Sequence, residues 1–221
     1  MTTLIEQFEQ CALAGREKQE KFLRLVGEHT VELDLDAGLA RFTKHHAFPF
    51  QVLGTESENT LSWLWAWADE QTEMPQTLMK ASFAMKVWLE TKGLQEYARP
   101  SLDLDLADGT ILSLVATQVC NAGCFYRDHY EGGALFILLY GAEIAAQAPF
   151  DRRELVRTLD DLIERYGFNH RNALRSYFRG SEVEAAETKD TVSATLSNGE
   201  HLIAEFDAAG RLTAINGEKR G

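Results

Sequence analysis

The apolar positions Leu4, Phe8, Cys11, Ala12, Phe22 and Val26 recur near the helical period, and Arg16, Glu17, Lys18, Gln19, Glu20 and Lys21 form a polar face between them. This spacing predicts one long amphipathic helix or two short ones from Thr2 to about His29, with Gly15 as the weak point. The period then changes to two. Val31, Leu33 and Leu35 alternate with Glu32, Asp34 and Asp36, which predicts a half-buried strand, and Ala37-Gly38 supplies a turn before a further strand segment at 39–43. Residues 48–53 read as the next strand, 54–59 as a polar hairpin connection, and 60–68 as the strand that follows.

Pro75 is placed to open a helix over 76–91, and Gly93 to stop it. Leu102, Leu104 and Leu106 alternate with Asp103 and Asp105 as in a strand, but Asp105 or Asp108 can equally cap a helix running to Val119. Both readings stay open. Residues 124–131 and 134–140 form a hairpin through Gly132-Gly133. Beyond Pro149, Asp151 can cap a helix that stops at Gly167, and Asn169 a second one over 173–179. The tail at 191–196, 201–206 and 212–215 is a meander with an Asn198-Gly199 turn.

Neighbouring strands joined by tight turns pair antiparallel, so the class is α+β. The expected architecture is an antiparallel sheet with helices packed on it, profilin-like or PAS-like by analogy. A first domain over 1–148 includes the N-terminal helix. Residues 150–221 add a C-terminal helix-helix-β-meander, separate from the first domain or continuous with it.

The segment Phe50-Gln51-Val52-Leu53-Gly54-Thr55, followed by Ser62-Trp63-Leu64-Trp65-Ala66-Trp67-Ala68, resembles a bacterial family of uncharacterised proteins known only as a domain of unknown function. In that family a Leu-Gly-Ser-like turn precedes a Ser-Trp-Leu-Trp-Ala-Trp-Ala strand, and a Gly-rich hairpin lies near mid-chain. Thr55 stands here where the family pattern has serine. The tail Phe206-Asp207-Ala208-Ala209-Gly210-Arg211-Leu212 is similar to the family's closing hairpin, so the resemblance spans roughly 30–215. It implies a fold boundary and no activity.

On an extended strand Trp63, Trp65 and Trp67 share one face. The leading reading is a core ladder covered by helices, because each indole offers about 150–250 Å² to bury. The functional reading is a groove whose aromatic floor stacks on a sugar, a base or an apolar side chain. Asp128 and His129, within Tyr126-Arg127-Asp128-His129-Tyr130-Glu131, are the remaining binding candidates. On a strand Tyr126, Asp128 and Tyr130 share one face and Arg127, His129 and Glu131 the other, and a histidine with a carboxylate two residues away, or with Asp128 nearby, can have a tuned pKa. The plainer reading of that segment is a solvated hairpin arm with cross-strand charge pairs.

Composition narrows the classes. Of 221 residues, 45% are hydrophobic, enough for a core, and 34 Asp+Glu against 22 Lys+Arg leave a net charge of −12. That balance argues against nucleic acid and anionic membranes as partners. There is no phosphate loop, no nucleophile elbow and no metal-ligand spacing, so no catalytic residue, metal or cofactor is expected. Three cysteines, Cys11, Cys120 and Cys124, do not make a disulfide framework and read as buried thiols. With a start lacking signal-peptide character, they point to the cytoplasm. Three function classes remain. The favoured one is a non-enzymatic module that binds a small ligand or a protein through the aromatic face. The others are a small hydrolase using the His129/carboxylate pair, and an oligomeric scaffold built on the N-terminal helix.

Overall fold

The helical period at the N-terminus produces one unbroken helix, α1 (Leu4–Val26), with Gly15 inside it. The computed structural model describes residues 2–43, 45–181 and 183–217. The chain divides into two units, one made chiefly of residues 18–147 and the other of 3–17 with 148–221. Helix α1 is therefore shared, whereas the sequence reading assigned all of it to the first domain.

In the first unit the strands are β1 (Val31–Asp34), β2 (Leu39–Phe42), β3 (His46–Ser57), β4 (Ser62–Trp65), β5 (Ser101–Asp103), β6 (Cys124–Tyr130) and β7 (Gly133–Leu139). The helices are α2 (Lys80–Thr91), α3 (Gly109–Val119) and the short α4 (Ala142–Ala145). Every pairing is antiparallel, and β3 organises the sheet. Its first part, from His46 to Pro49, pairs with β2; its last part, from Gly54 to Ser57, pairs with β4. From Phe50 onward its other edge pairs with β7. One strand that changes partner along its length gives a curled sheet.

Two expectations change here. Residues 54–57 continue β3 instead of forming the hairpin connection, and the strand expected over 60–68 ends at Trp65, where Ala66–Ala68 coil into a 3₁₀ turn. The ambiguity over 102–119 resolves into both answers in succession. A three-residue strand is followed by a helix whose N-cap, Asp108, accepts the Ile111 N–H at 2.8 Å.

Register assigns the faces. Across the sheet, Trp63, Glu56, Ala134 and His129 form one row, and Trp65, Gly54, Phe136 and Arg127 form the next on the same side. The alternate row, Ser101, Leu64, Thr55, Leu135 and Asp128, lies on the opposite side. A β-bulge between Val52 and Gly54 inserts Leu53, so Val52 and Thr55 share this second side although they are three apart. There Phe22 of α1 packs edge-on against Phe42, Phe48 and Tyr126, continuing the apolar cluster of Phe50, Val52, Ile137 and Leu139.

The second unit comprises α1 up to Glu17, α5 (Arg152–Arg165), α6 (His170–Gly180) and a sheet ordered β11-β10-β9-β8. These strands are β8 (Ala185–Glu187), β9 (Thr191–Thr195), β10 (His201–Phe206) and β11 (Leu212–Asn216). Strand β8 has no counterpart in the sequence reading, since Ala185, Ala186 and Glu187 are all exposed and carry no alternation. Asp151 caps α5 in a capping box with Glu154, and Asn169 caps α6. Buried Glu9 accepts hydrogen bonds from the Asn169 N–H (2.8 Å) and the Asn172 amide (3.0 Å) at the start of α6, and buried Glu17 accepts one from the Tyr177 hydroxyl. The molecule is thus a mixed α+β protein.

Buried His170 accepts the Leu212 N–H on Nδ1 at 3.0 Å, a bond that needs the ring neutral. Burial lowers its pKa, and Arg211 acts the same way, against opposing effects of Asp207 and Glu9. Above the ordinary value of 6.5 both folded and unfolded states are neutral. Below it the unfolded chain takes up a proton that the native state resists, so stability falls as pH drops, by at most about 1.4 kcal/mol per unit. In urea titrations at pH 7.5 and 5.5, a His170→Asn variant, whose Oδ1 can accept the same bond, is expected to lose this part of the acid sensitivity. Identical pH dependence in both proteins would refute it.

Candidate functional site

Trp63 and Trp65, the centre of the expected aromatic face, are both 0% exposed. Their rings meet edge-on at 5.4 Å, Trp63 also meets Phe136 at 5.3 Å, and Trp65 Nε1 donates to the Tyr97 carbonyl at 3.0 Å. Helix α3 begins over Trp63, with Gly109 against the rings of Trp63 and Phe136. Trp67 is detached from this ladder by the 3₁₀ turn. It lies half-buried beside α2, with the Lys86 ammonium 4.7 Å from its ring centre and Phe83 at 6.5 Å. Of the two readings of Trp63, Trp65 and Trp67, the groove is therefore corrected and the core ladder, the leading one, holds for two of the indoles, while the third has left the row.

Asp128 and His129 are neighbours on β6 and project to opposite sides of the sheet, as successive strand residues must. His129 is exposed and falls in the row of Glu56 and Trp63. Asp128 falls in the row of Leu135, Thr55 and Leu64. The strand therefore does not bring Asp128 to His129; Glu131, the other carboxylate considered beside His129, directly follows the strand's last residue, Tyr130.

The face carrying Asp128 is only partly filled. Phe22 and the apolar cluster occupy one end of the curl, and the other end is a cavity of about 350 Å³. Thr55, Leu64, Leu135 and Asp128 form its floor in one cross-strand row, with Val52 beside them. Leu33 and Leu35 at the end of β1, Met74 and Tyr130 complete the walls. Leu35 (41%) and Tyr130 (52%) are exposed large side chains, which marks the mouth.

Two carboxylates line this cavity, and their situations differ. Asp69 accepts from the N–H groups of Gln71 (2.9 Å) and Thr72 (3.2 Å) and from the Thr72 hydroxyl (2.7 Å). Those bonds hold its pKa below the usual carboxylate value and shape the loop that leads to Met74. Asp128 has no hydrogen-bond or ion-pair partner among the described residues. Burial raises its pKa, and the charge of His129 offsets this only in part. Among the described residues no Lys or Arg lines the cavity.

Among the described residues no three His, Cys, Asp or Glu side chains converge as a metal site. The three cysteines are free thiols; burial pushes Cys120 up to about 11 and Cys124 further in the same direction. No helix of the described residues is long and apolar enough to cross a membrane. A larger, shallow depression in the second unit, about 540 Å³, mixes Arg152, Arg153 and Arg157 with Asp160 and Asp161, so its charges offset one another.

The sequence reading missed the cavity lining apart from Asp128. One signal was available: a glycine inside an apolar run, Val52-Leu53-Gly54, marks a bulge at least as well as a turn. Leu33 and Leu64 gave none, because a strand's second apolar face looks the same whether it is covered or open.

Comparisons with curated proteins and with solved structures returned no significant match. A family model does match, over residues 5–142, which takes in the tryptophan strand, the bulge and every cavity residue and stops short of the similar-looking hairpin at 206–212. The fold element that builds the cavity is thus the part of the chain with relatives, and by that match the protein belongs to DUF6882, a family of unknown function.

Proposed function

We propose that this protein is a binding module for a small, largely apolar molecule, held in the cavity at the open end of the curled sheet. The observation that carries the reading is the unfilled volume itself. A cavity of about 350 Å³ lies at the low end of the range of about 300–1,000 Å³ usual for small-molecule sites. Its floor is built on paired central strands, which hold side chains in place better than loops do. Apolar walls with a few polar groups at one side are the usual composition of such sites. Binding without chemistry is favoured because β6 sends Asp128 and His129 to opposite sides of the sheet. The free thiols support a cytoplasmic setting for the module.

The neutral naphthalene dye prodan tests this. Its emission is expected to shift to the blue with a single saturable site on the native protein. Thr55→Phe places a larger, strand-favouring side chain at the centre of the floor and is expected to abolish the shift while the thermal melt keeps its midpoint within a few degrees. Equal dye binding by a folded Thr55→Phe variant would exclude the cavity as the site.

A further inference from the structure

The chemistry of the cavity selects among apolar molecules. Resting on the binding reading above, we infer that the ligand is a small amphiphilic cation, an amine with an apolar body, whose ammonium group pairs with Asp128.

Three observations lead there. Asp128 is half-buried at the edge of an apolar wall and has no hydrogen-bond or ion-pair partner among the described residues, with the charge of His129 acting on it only from the other side of the strand. Asp69, the other carboxylate of the described lining, already accepts three hydrogen bonds from its own loop. A partly desolvated carboxylate without a partner is unfavourable, and a bound ammonium would reverse that. Second, the described lining contains Asp69 and Asp128 and no basic side chain, which disfavours fatty acids, phosphates and other anions. The chain's net charge of −12 acts in the same sense at long range. Third, Tyr130 stands two residues from Asp128 on the same strand face and also lines the cavity, so that the wall offers a cation an aromatic ring as well as a carboxylate. Leu33, Leu64, Leu135 and Met74 then accept the apolar body.

Displacement of prodan from the full chain by three matched probes, n-octylamine, n-octanol and octanoate at pH 7, tests the charge assignment separately from the site. Octylammonium is expected to displace the dye at a concentration about tenfold lower than octanol, with octanoate weakest. The nearly isosteric Asp128→Asn variant is expected to bring octylammonium and octanol to parity in displacing whatever dye the variant binds, and salt is expected to narrow the wild-type gap. If octanol or octanoate competes as well as the amine on the wild type, the cation inference falls while the cavity reading stands. The same holds if Asp128→Asn leaves the amine's advantage intact. If no probe displaces a dye whose binding Thr55→Phe abolishes, the cation inference likewise falls alone; if a folded Thr55→Phe variant binds the dye as the wild type does, the cavity reading itself falls and takes this inference with it.

Discussion

Replacing Gly54 with alanine is expected to destabilise the first unit by about 3 kcal/mol, at the severe end of overpacking substitutions. A Cβ on Gly54 would lie 2.4 Å from the Leu64 carbonyl oxygen and 2.4 Å from Cζ2 of Trp63. Neither obstacle can yield cheaply. The carbonyl belongs to β4, which is paired with β3 at this point, and the indole is fully buried against Trp65 and Phe136. Relief would require β3 and β4 to separate or the bulge at Leu53 to move, and the bulge is what turns Val52 and Thr55 to the same side. Urea unfolding followed by near-ultraviolet circular dichroism should show a midpoint well below the wild type's and a loss of the tryptophan signal in any surviving folded form. An unchanged midpoint would contradict this packing.

A second large loss, about 2–4 kcal/mol, is expected for Glu56→Ala. Glu56 is 7% exposed, and its two oxygens have separate tasks. Oε1 accepts the Gly109 N–H at 2.6 Å, one of the donors at the start of α3 that the helix cannot satisfy itself. Oε2 accepts from Arg127 Nη2 at 3.0 Å, and that guanidinium lies 5.5 Å over the ring of Phe136. Truncation leaves a buried N–H and a part-buried cation unpaired and removes a negative charge from a helix N-terminus. Glu56→Gln keeps the acceptor for Gly109 but not the charge, so its loss should be smaller. The paired variant Glu56→Ala/Arg127→Ala should cost less than the sum of the single changes, since the stranded cation is gone. Additive losses in the same urea titrations would show that the pair is not coupled.

Much of this fold was legible residue by residue. The N-terminal helical period, the alternating segments, and the caps Asp151 and Asn169 all follow from local rules, because each depends on residues within one or two turns of one another. The same holds for the left-handed turns at Gly38, Gly132 and Gly199. One helix or two at the N-terminus, and strand or helix over 102–119, stayed open until the structure decided them. Where the reading failed, the decisive partner was distant. Residues 54–57 look like a polar connection, yet they form strand because β4 and β7 pair with both of their edges. Glu56 looks like a loop carboxylate, and it is buried because α3, more than fifty residues onward, points its first N–H at it.

The candidate site divides in the same way. Period-two alternation by itself determined that Trp63 and Trp65 share a face, that Leu64 lies on the other, and that Asp128 and His129 point apart. Strand geometry allows nothing else. Only the tertiary structure decided which face is closed. Both sides of β4 carry apolar side chains, and nothing local distinguishes the side that α3 will cover from the side that α1 fills at one end only. That choice rests on long-range contacts: Gly109 against Trp63, Phe22 against Phe48, and the partner change along β3 that curls the sheet. The larger aromatic face therefore became core, and the quieter one, with Thr55, Leu64, Leu135 and Asp128, was left with room for a ligand.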